Sequence, residues 1–181
     1  MSIIFDQAMP EIHDLAKDIL AAHHPELQMG QDRDGNPLYV RLCILMATSD
    51  TPENGEPAVK LHGWPCAAVV SVIGYKQRVD KRADAEIVID AKWWDGATPN
   101  QRRATLDHEI THLEIQKDET GSVKTDDQGR PKLKLRLHDY ELSGFRSIAE
   151  RYGEDALEVM GIRDFDEKFG PSMRGTATLY S

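Results

Sequence analysis

A chain of 181 residues is long enough to bury a core and short enough for one domain spanning 1–181, and it carries no repeat or low-complexity tract. Its formal net charge of −9 excludes broad binding to nucleic-acid backbones, which needs a large positive face. The first residues, MSIIFDQAMPEIHDLAKDIL, lack the basic and apolar regions of an export signal, and no later run is long and apolar enough to span a bilayer, so a cytoplasmic protein with no membrane contact is expected.

In chain order, Ile12, Leu15, Ile19 and Leu20 repeat at helical spacing and predict a helix from about Pro10 to Ala22. His23 and His24 end it, where a positive side chain suits the helix dipole. Asp32 to Pro37 reads as a turn. The acids stop too early for a calcium loop. LYVRLCILMA then predicts a buried strand, and after the loop TPENGEP the segment from Ala67 to Ile73 predicts another. These form an N-terminal part of about residues 1–75. The two cysteines, Cys43 and Cys66, lie in apolar strand-like surroundings and are expected to be buried free thiols. Lys76, Arg78, Lys81 and Arg82 cluster in YKQRVDKRAD, a solvated loop or a patch that steers an acidic partner.

The second part, about 85–153, begins with Ala85 to Asp90, β-branched residues that predict a strand running through Trp93 and Trp94, at least one of which belongs in the core. Such a strand is placed to border a cleft and to pair its edge with an extended peptide. Thr98, with Gln101 three positions on, forms a capping box around Pro99. The helix that follows reads as TPNQRRATLDHEITHLEI, with Leu106, Ile110 and Leu113 on one stripe and Ala104, Thr111 and Ile115 near a second.

Within that helix stands His108-Glu109-Ile110-Thr111-His112. Two histidines four apart share a helix face and can grip one ion, and the glutamate after the first is placed to take a proton from water at that ion. Catalytic zinc sites use three protein ligands and keep a fourth position open. A hairpin over Lys117 to Arg136, turning at Asp126 to Pro131 and alternating Leu133, Leu135 and Leu137 with basic residues, delivers His138 as the third ligand. Glu141, one turn into a following helix marked by Leu142, Phe145, Ala149 and Tyr152, is the alternative. Asp139 suits a helix cap or a partner for a ligating imidazole, and Tyr140 suits either an oxyanion donor or a core position.

The segments EIVIDAKWW, LDHEITHLEI, GRPKLKLRLHDYELSGF and ERYG, in that order from Glu86 to Gly153, resemble the putative phage metallopeptidases, with fainter similarity from Trp64 onward. The first sixty residues add no motif to the resemblance. The family implies a minimal zinc peptidase fold: a strand, the H-E-x-x-H helix, an inserted hairpin and a later histidine before a helix, at His108, Glu109, His112 and His138. The expected fold class is α+β, a zincin-like domain with a mixed sheet packed on the metal helix, a hairpin insertion and C-terminal helices. The expected activity is zinc-dependent hydrolysis of a protein or peptide substrate, with Glu109 as general base. A catalytically silent adaptor or inhibitor braced by Zn2+ is the alternative, and the oligomeric state is not legible.

Overall fold

The computed structural model describes residues 2–50, 57–81, 83–127, 129–138 and 144–169. Its centre is a four-stranded mixed sheet. β1 (Ile3–Gln7) pairs antiparallel with β4 (Leu42–Ser49), β4 pairs parallel with β8 (Ala85–Asp90), and β8 pairs antiparallel with β7 (Ala68–Val72). Register aligns Ile44 with Ile87 and Val70 across three strands, and Met46 with Ile89 and Ala68 in the next row. Alternation sends those residues to one face and Ala47, Val69 and Val88 to the other.

The first face is covered by two helices. α1 (Pro10–His23) buries Ile12, Ala16, Ile19 and Leu20, one residue longer than the sequence spacing predicts, and Leu15 is only partly covered. α4 (Pro99–Thr111) packs beside it, with Leu106 and Ile110 in the same cluster. The opposite face is closed by Ala58 and Val59, which lead into a small hairpin of β5 (Lys60–Leu61) and β6 (Trp64–Pro65). Asp90 holds that segment: one carboxylate oxygen accepts the amides of Ala58 and Val59 at 2.7 and 3.3 Å, while the other caps α3 (Ala91–Gly96) by accepting Trp93 N–H at 2.9 Å.

The chain departs from its sequence reading at several points, each for a tertiary reason. β1 was not expected; it is a short edge strand whose five residues are all exposed, so no burial pattern announces it. The expected strand LYVRLCILMA breaks into β3 (Pro37–Tyr39), which forms a hairpin with β2 (Gln28–Gln31), and β4. The break comes at Arg41, whose N–H donates to the Asp84 carboxylate and whose carbonyl accepts from Asp84 N–H. Trp93 and Trp94 sit on α3 rather than on an extended lead, with Trp94 buried and Trp93 partly so. The strand expected to be an edge, β8, is central; the sheet's edges are β1 and β7. Cys43 and Cys66 are free thiols, half-buried rather than buried.

The basic cluster is also corrected. Tyr75–Lys81 is the short helix α2, and Arg78 on it is 1% exposed. Its guanidinium donates to Asp84 at 2.5 Å, to Asp126 at 3.1 Å and to the Pro131 carbonyl at 2.9 Å. Arg82 lies outside the described residues. Arg78 therefore ties the sheet to the loop that carries Asp126 and Pro131. Because removing one partner leaves buried carboxylates without compensation, Arg78→Ala should cost about 3–5 kcal/mol, read as a lowered urea midpoint. Arg78→Lys should recover only part of this, since an ammonium cannot reproduce the fork.

Candidate metal centre

α4 begins as the sequence dictates. Thr98 Oγ1 accepts Gln101 N–H at 3.2 Å, Gln101 reaches back to Thr98 N–H at 2.8 Å, and Pro99 takes the first turn. It ends sooner than expected. His112 is the C-cap, still in right-handed helical conformation, and Leu113–Ile115 becomes the strand β9, paired antiparallel with β10 (Leu133–Leu135). Leu113 and Ile115 thus bury their side chains from a strand instead of extending the helical stripe.

Between these strands the chain folds back through two tight turns. The Asp118 carboxylate accepts amides of Thr120 and Ser122, and the Asp126 carboxylate accepts Arg130 N–H. The second arm of the expected hairpin over 117–136 is β10, while its partner, β9, precedes that span and takes up the last residues read as helix. Their register positions the site: Arg136 N–H donates to the His112 carbonyl at 2.8 Å, and two residues later comes His138.

The structure brings His108, His112 and His138 together, one ligand nitrogen from each lying within 4.8 Å of the others. His108 Nε2 and His138 Nε2 are 3.2 Å apart. Tetrahedral coordination with metal–nitrogen bonds of about 2.0–2.1 Å places ligand nitrogens about 3.3 Å from one another, so this pair already has the required spacing. Three imidazoles suit a divalent cation of intermediate softness. Glu141, Asp139 and Tyr140, the other candidates, lie outside the described residues.

Each ring on α4 is oriented through its other nitrogen. His108 Nδ1–H donates to Glu158 at 2.7 Å, and His112 Nδ1–H donates to the Arg136 carbonyl at 2.9 Å, which leaves both Nε2 lone pairs free for a cation. Glu158 lies at the start of α6 (Leu157–Phe169), and the same oxygen accepts Phe145 N–H at 3.0 Å. Burial opposes ionisation of Glu158, but the hydrogen bonds from His108 and Phe145 outweigh it and hold the carboxyl below its ordinary value. Phe145, fully buried, packs its ring centroid 5.0, 4.7 and 5.0 Å from those of His108, His112 and His138. It is the N-cap of α5 (Arg146–Tyr152), a helix that starts later than its periodicity suggests.

Glu109 is 5% exposed and lines the same cleft as the three histidines. Burial pushes its carboxyl up to about 7, against smaller opposing effects from His108 and from the Val70 N–H it accepts. Burial likewise holds the His112 imidazole down at about 4, so it is neutral at pH 7 and able to ligate. On the far side of the helix, Asp107 is fully buried and accepts from His24 at 2.7 Å, from Tyr152 at 2.7 Å and from Arg151. Those bonds overcome its desolvation and keep it ionised. His24, expected only to suit a helix end, is thus a buried buttress linking α1 to α4.

Glu158, Phe145, Asp107 and the Arg136 carbonyl were invisible to spacing arguments, since each arrives from a different element. Only Gly144 offers a faint local signal. A Cβ there would run into Cγ of Glu158, so glycine is what lets the carboxylate reach His108.

A mixed sheet carries a buried helix whose two histidines meet a third, with an acid beside them, and the three imidazoles lie close enough to bind one metal ion. The family model described as putative phage metallopeptidase matches residues 7–166, and the chain belongs to that family. The match reaches well before the motifs that suggested it, so the first sixty residues are largely part of the family region. Among curated proteins and among solved structures, nothing matches the chain. No helix among the described residues is long and apolar enough to cross a membrane.

Two expectations follow. Glu158→Ala should weaken metal affinity about 10–100-fold by chelator competition, and Gly144→Ala should do the same by displacing that carboxylate. In metal-free protein, a carboxyl raised from 4.5 to about 7 binds its proton more tightly when folded, so stability falls as pH rises between those values, by up to about 3 kcal/mol. Chelator-treated Glu109→Gln should therefore exceed wild type in urea resistance at pH 8, with the difference shrinking at pH 5.

Proposed function

We propose that the protein is a zinc-dependent peptidase of zincin-like fold, in which His108, His112 and His138 hold the ion and Glu109 is the general base. The observation that carries this reading is the convergence, in one cleft, of three imidazole nitrogens and the buried acid Glu109. When bound, the ion polarises a carbonyl and acidifies water.

The protein's own residues supply the rest. A cation held by these three imidazoles would favour the ionised form of Glu109, which lines the same cleft. Glu109 then accepts a proton from the attacking water and passes it to the leaving amine. β7, an edge strand, borders the cleft through Ala68, Val69 and Val70, which supports an extended substrate running beside it. A silent metal-braced adaptor would need closed coordination, for which Asp139 and Glu141, both outside the described residues, are the candidate fourth ligands.

Purified protein should contain about one zinc per chain by mass spectrometry under native conditions, lost in His138→Ala and retained in Glu141→Ala. Glu109→Gln should keep its zinc and lose about 10²–10⁴-fold in kcat/KM on an unfolded protein substrate. For the wild type, kcat/KM should rise with pH along an acid limb whose midpoint lies at or below about 7, because the ionised carboxylate is the base. Cleavage that survives in Glu109→Gln, or zinc that leaves with Glu141 instead of His138, would refute the assignment.

A further inference from the structure

The walls of the cleft carry an unusual surface. On one side stands the β5–β6 hairpin, turned by His62 and Gly63, both with positive φ (50° and 86°), the backbone required by a two-residue hairpin loop. Leu61 and Trp64 are its cross-strand pair and project from the same hairpin face, and Leu61 lines the cleft. Trp64 is 77% exposed. This exposure does not come from a loose loop, because the hairpin base is fixed: Asp90 binds the amides of Ala58 and Val59, and Cys66 N–H donates to the Val59 carbonyl at 3.2 Å.

On the opposite side, the segment leaving β10 presents Leu135 and Leu137, the latter 88% exposed, and α6 adds Ile162. Of the twelve large apolar side chains exposed among the described residues, Leu61, Leu135, Leu137 and Ile162 line the cleft, and Trp64 stands beside Leu61 on the hairpin. Exposed apolar surface around a concave site marks where apolar ligand surface is buried. The cleft volume of about 1490 Å³ exceeds the roughly 300–1,000 Å³ of a small-molecule site, and Ala68 and Val69 of the edge strand β7 line it, beside the Val70 N–H that Glu109 takes; a strand edge is where an extended polypeptide, and not a lipid chain, finds backbone partners.

We infer that the substrate is an extended polypeptide segment bearing bulky apolar side chains, gripped between the Leu61–Trp64 hairpin and the Leu135–Leu137 segment. This deepens the peptidase reading and rests on it for the nature of the cleft. A soluble folded protein keeps such side chains inside, so the segment is one exposed in an unfolded or partly unfolded chain.

The test uses the full chain as the zinc-loaded Glu109→Gln variant, with two twelve-residue peptides of equal charge, one containing leucine and phenylalanine and the other serine and glycine at those places. Calorimetry should show the apolar peptide binding about tenfold or more tightly, and tryptophan emission should shift to the blue as Trp64 is covered. Trp64→Ala and Leu137→Ser, both at exposed positions, should each lower affinity for the apolar peptide alone, and Trp64→Phe should restore it. Equal affinity for the two peptides, or no change in either variant, would overturn the inference. Self-association relieved by Trp64→Ala would overturn it too, assigning the face to a second copy. If wild-type protein binds the apolar peptide tightly and leaves it intact, the peptidase reading fails while the grip stands; cleavage of both peptides alike defeats the grip alone.

Discussion

Eight consecutive residues of α4, Ala104–Thr111, are buried, and Thr105, Asp107, His108, Glu109 and Thr111 are polar. Taking such groups out of water is unfavourable unless they find partners, most of all for the charged and imidazole groups. The Thr105 hydroxyl has none, but the fold supplies partners for the other four from separate directions. Asp107 takes His24, Arg151 and Tyr152; His108 takes Glu158; Glu109 takes the Val70 amide; and Thr111 bonds back to the Asp107 carbonyl. α1, α5, α6 and the edge strand are thereby fixed against one helix.

The same requirement prepares the metal site. Hydrogen bonds at Nδ1 settle the tautomers of His108 and His112, so that their Nε2 atoms point where a cation is wanted without reorganisation. Phe145 backs all three rings and is itself covered by the Arg136 guanidinium, 5.0 Å from its centroid. The acid at the site is left less satisfied than the one behind it. Asp107 is stabilised as an anion by three donors, whereas Glu109 keeps a raised proton affinity through burial. Two acidic positions two residues apart on one helix thus acquire opposite characters from their surroundings: one is held as an anion by its donors, and the other, buried, keeps the proton affinity that the proposed general base would use.

Buried acids also hold the two walls of the cleft. Asp90 anchors the β5–β6 hairpin on one side. On the other, Asp126 organises the turn before β10 and reaches Arg78, which is shared with Asp84. The exposed apolar residues on these walls are therefore displayed by rigid supports, and their exposure is a property of the native fold.

Helix α4, its capping box and its metal-binding pattern were legible in the sequence because they depend on contacts no more than four residues apart: Thr98 with Gln101, and His108 with His112. The alternation of leucines after Pro131 likewise foretold the strand that carries His138 to the site. Tertiary structure alone decided the rest. Which strand lies at the edge depends on pairing order, which alternation does not encode, so β8, expected at the edge, lies inside the sheet with β7 beyond it. The end of α4 was decided by pairing as well, since Leu113 and Ile115 fit either a helical stripe or a strand until Leu133–Leu135 arrives beside them. Arg78, which reads as solvated from its neighbours, is buried because its carboxylate partners come from Asp84 and from the distant Asp126. A sequence records which chemical groups are available and how they repeat along the chain; whether a given charge meets water or a partner across the core is settled only when remote segments meet.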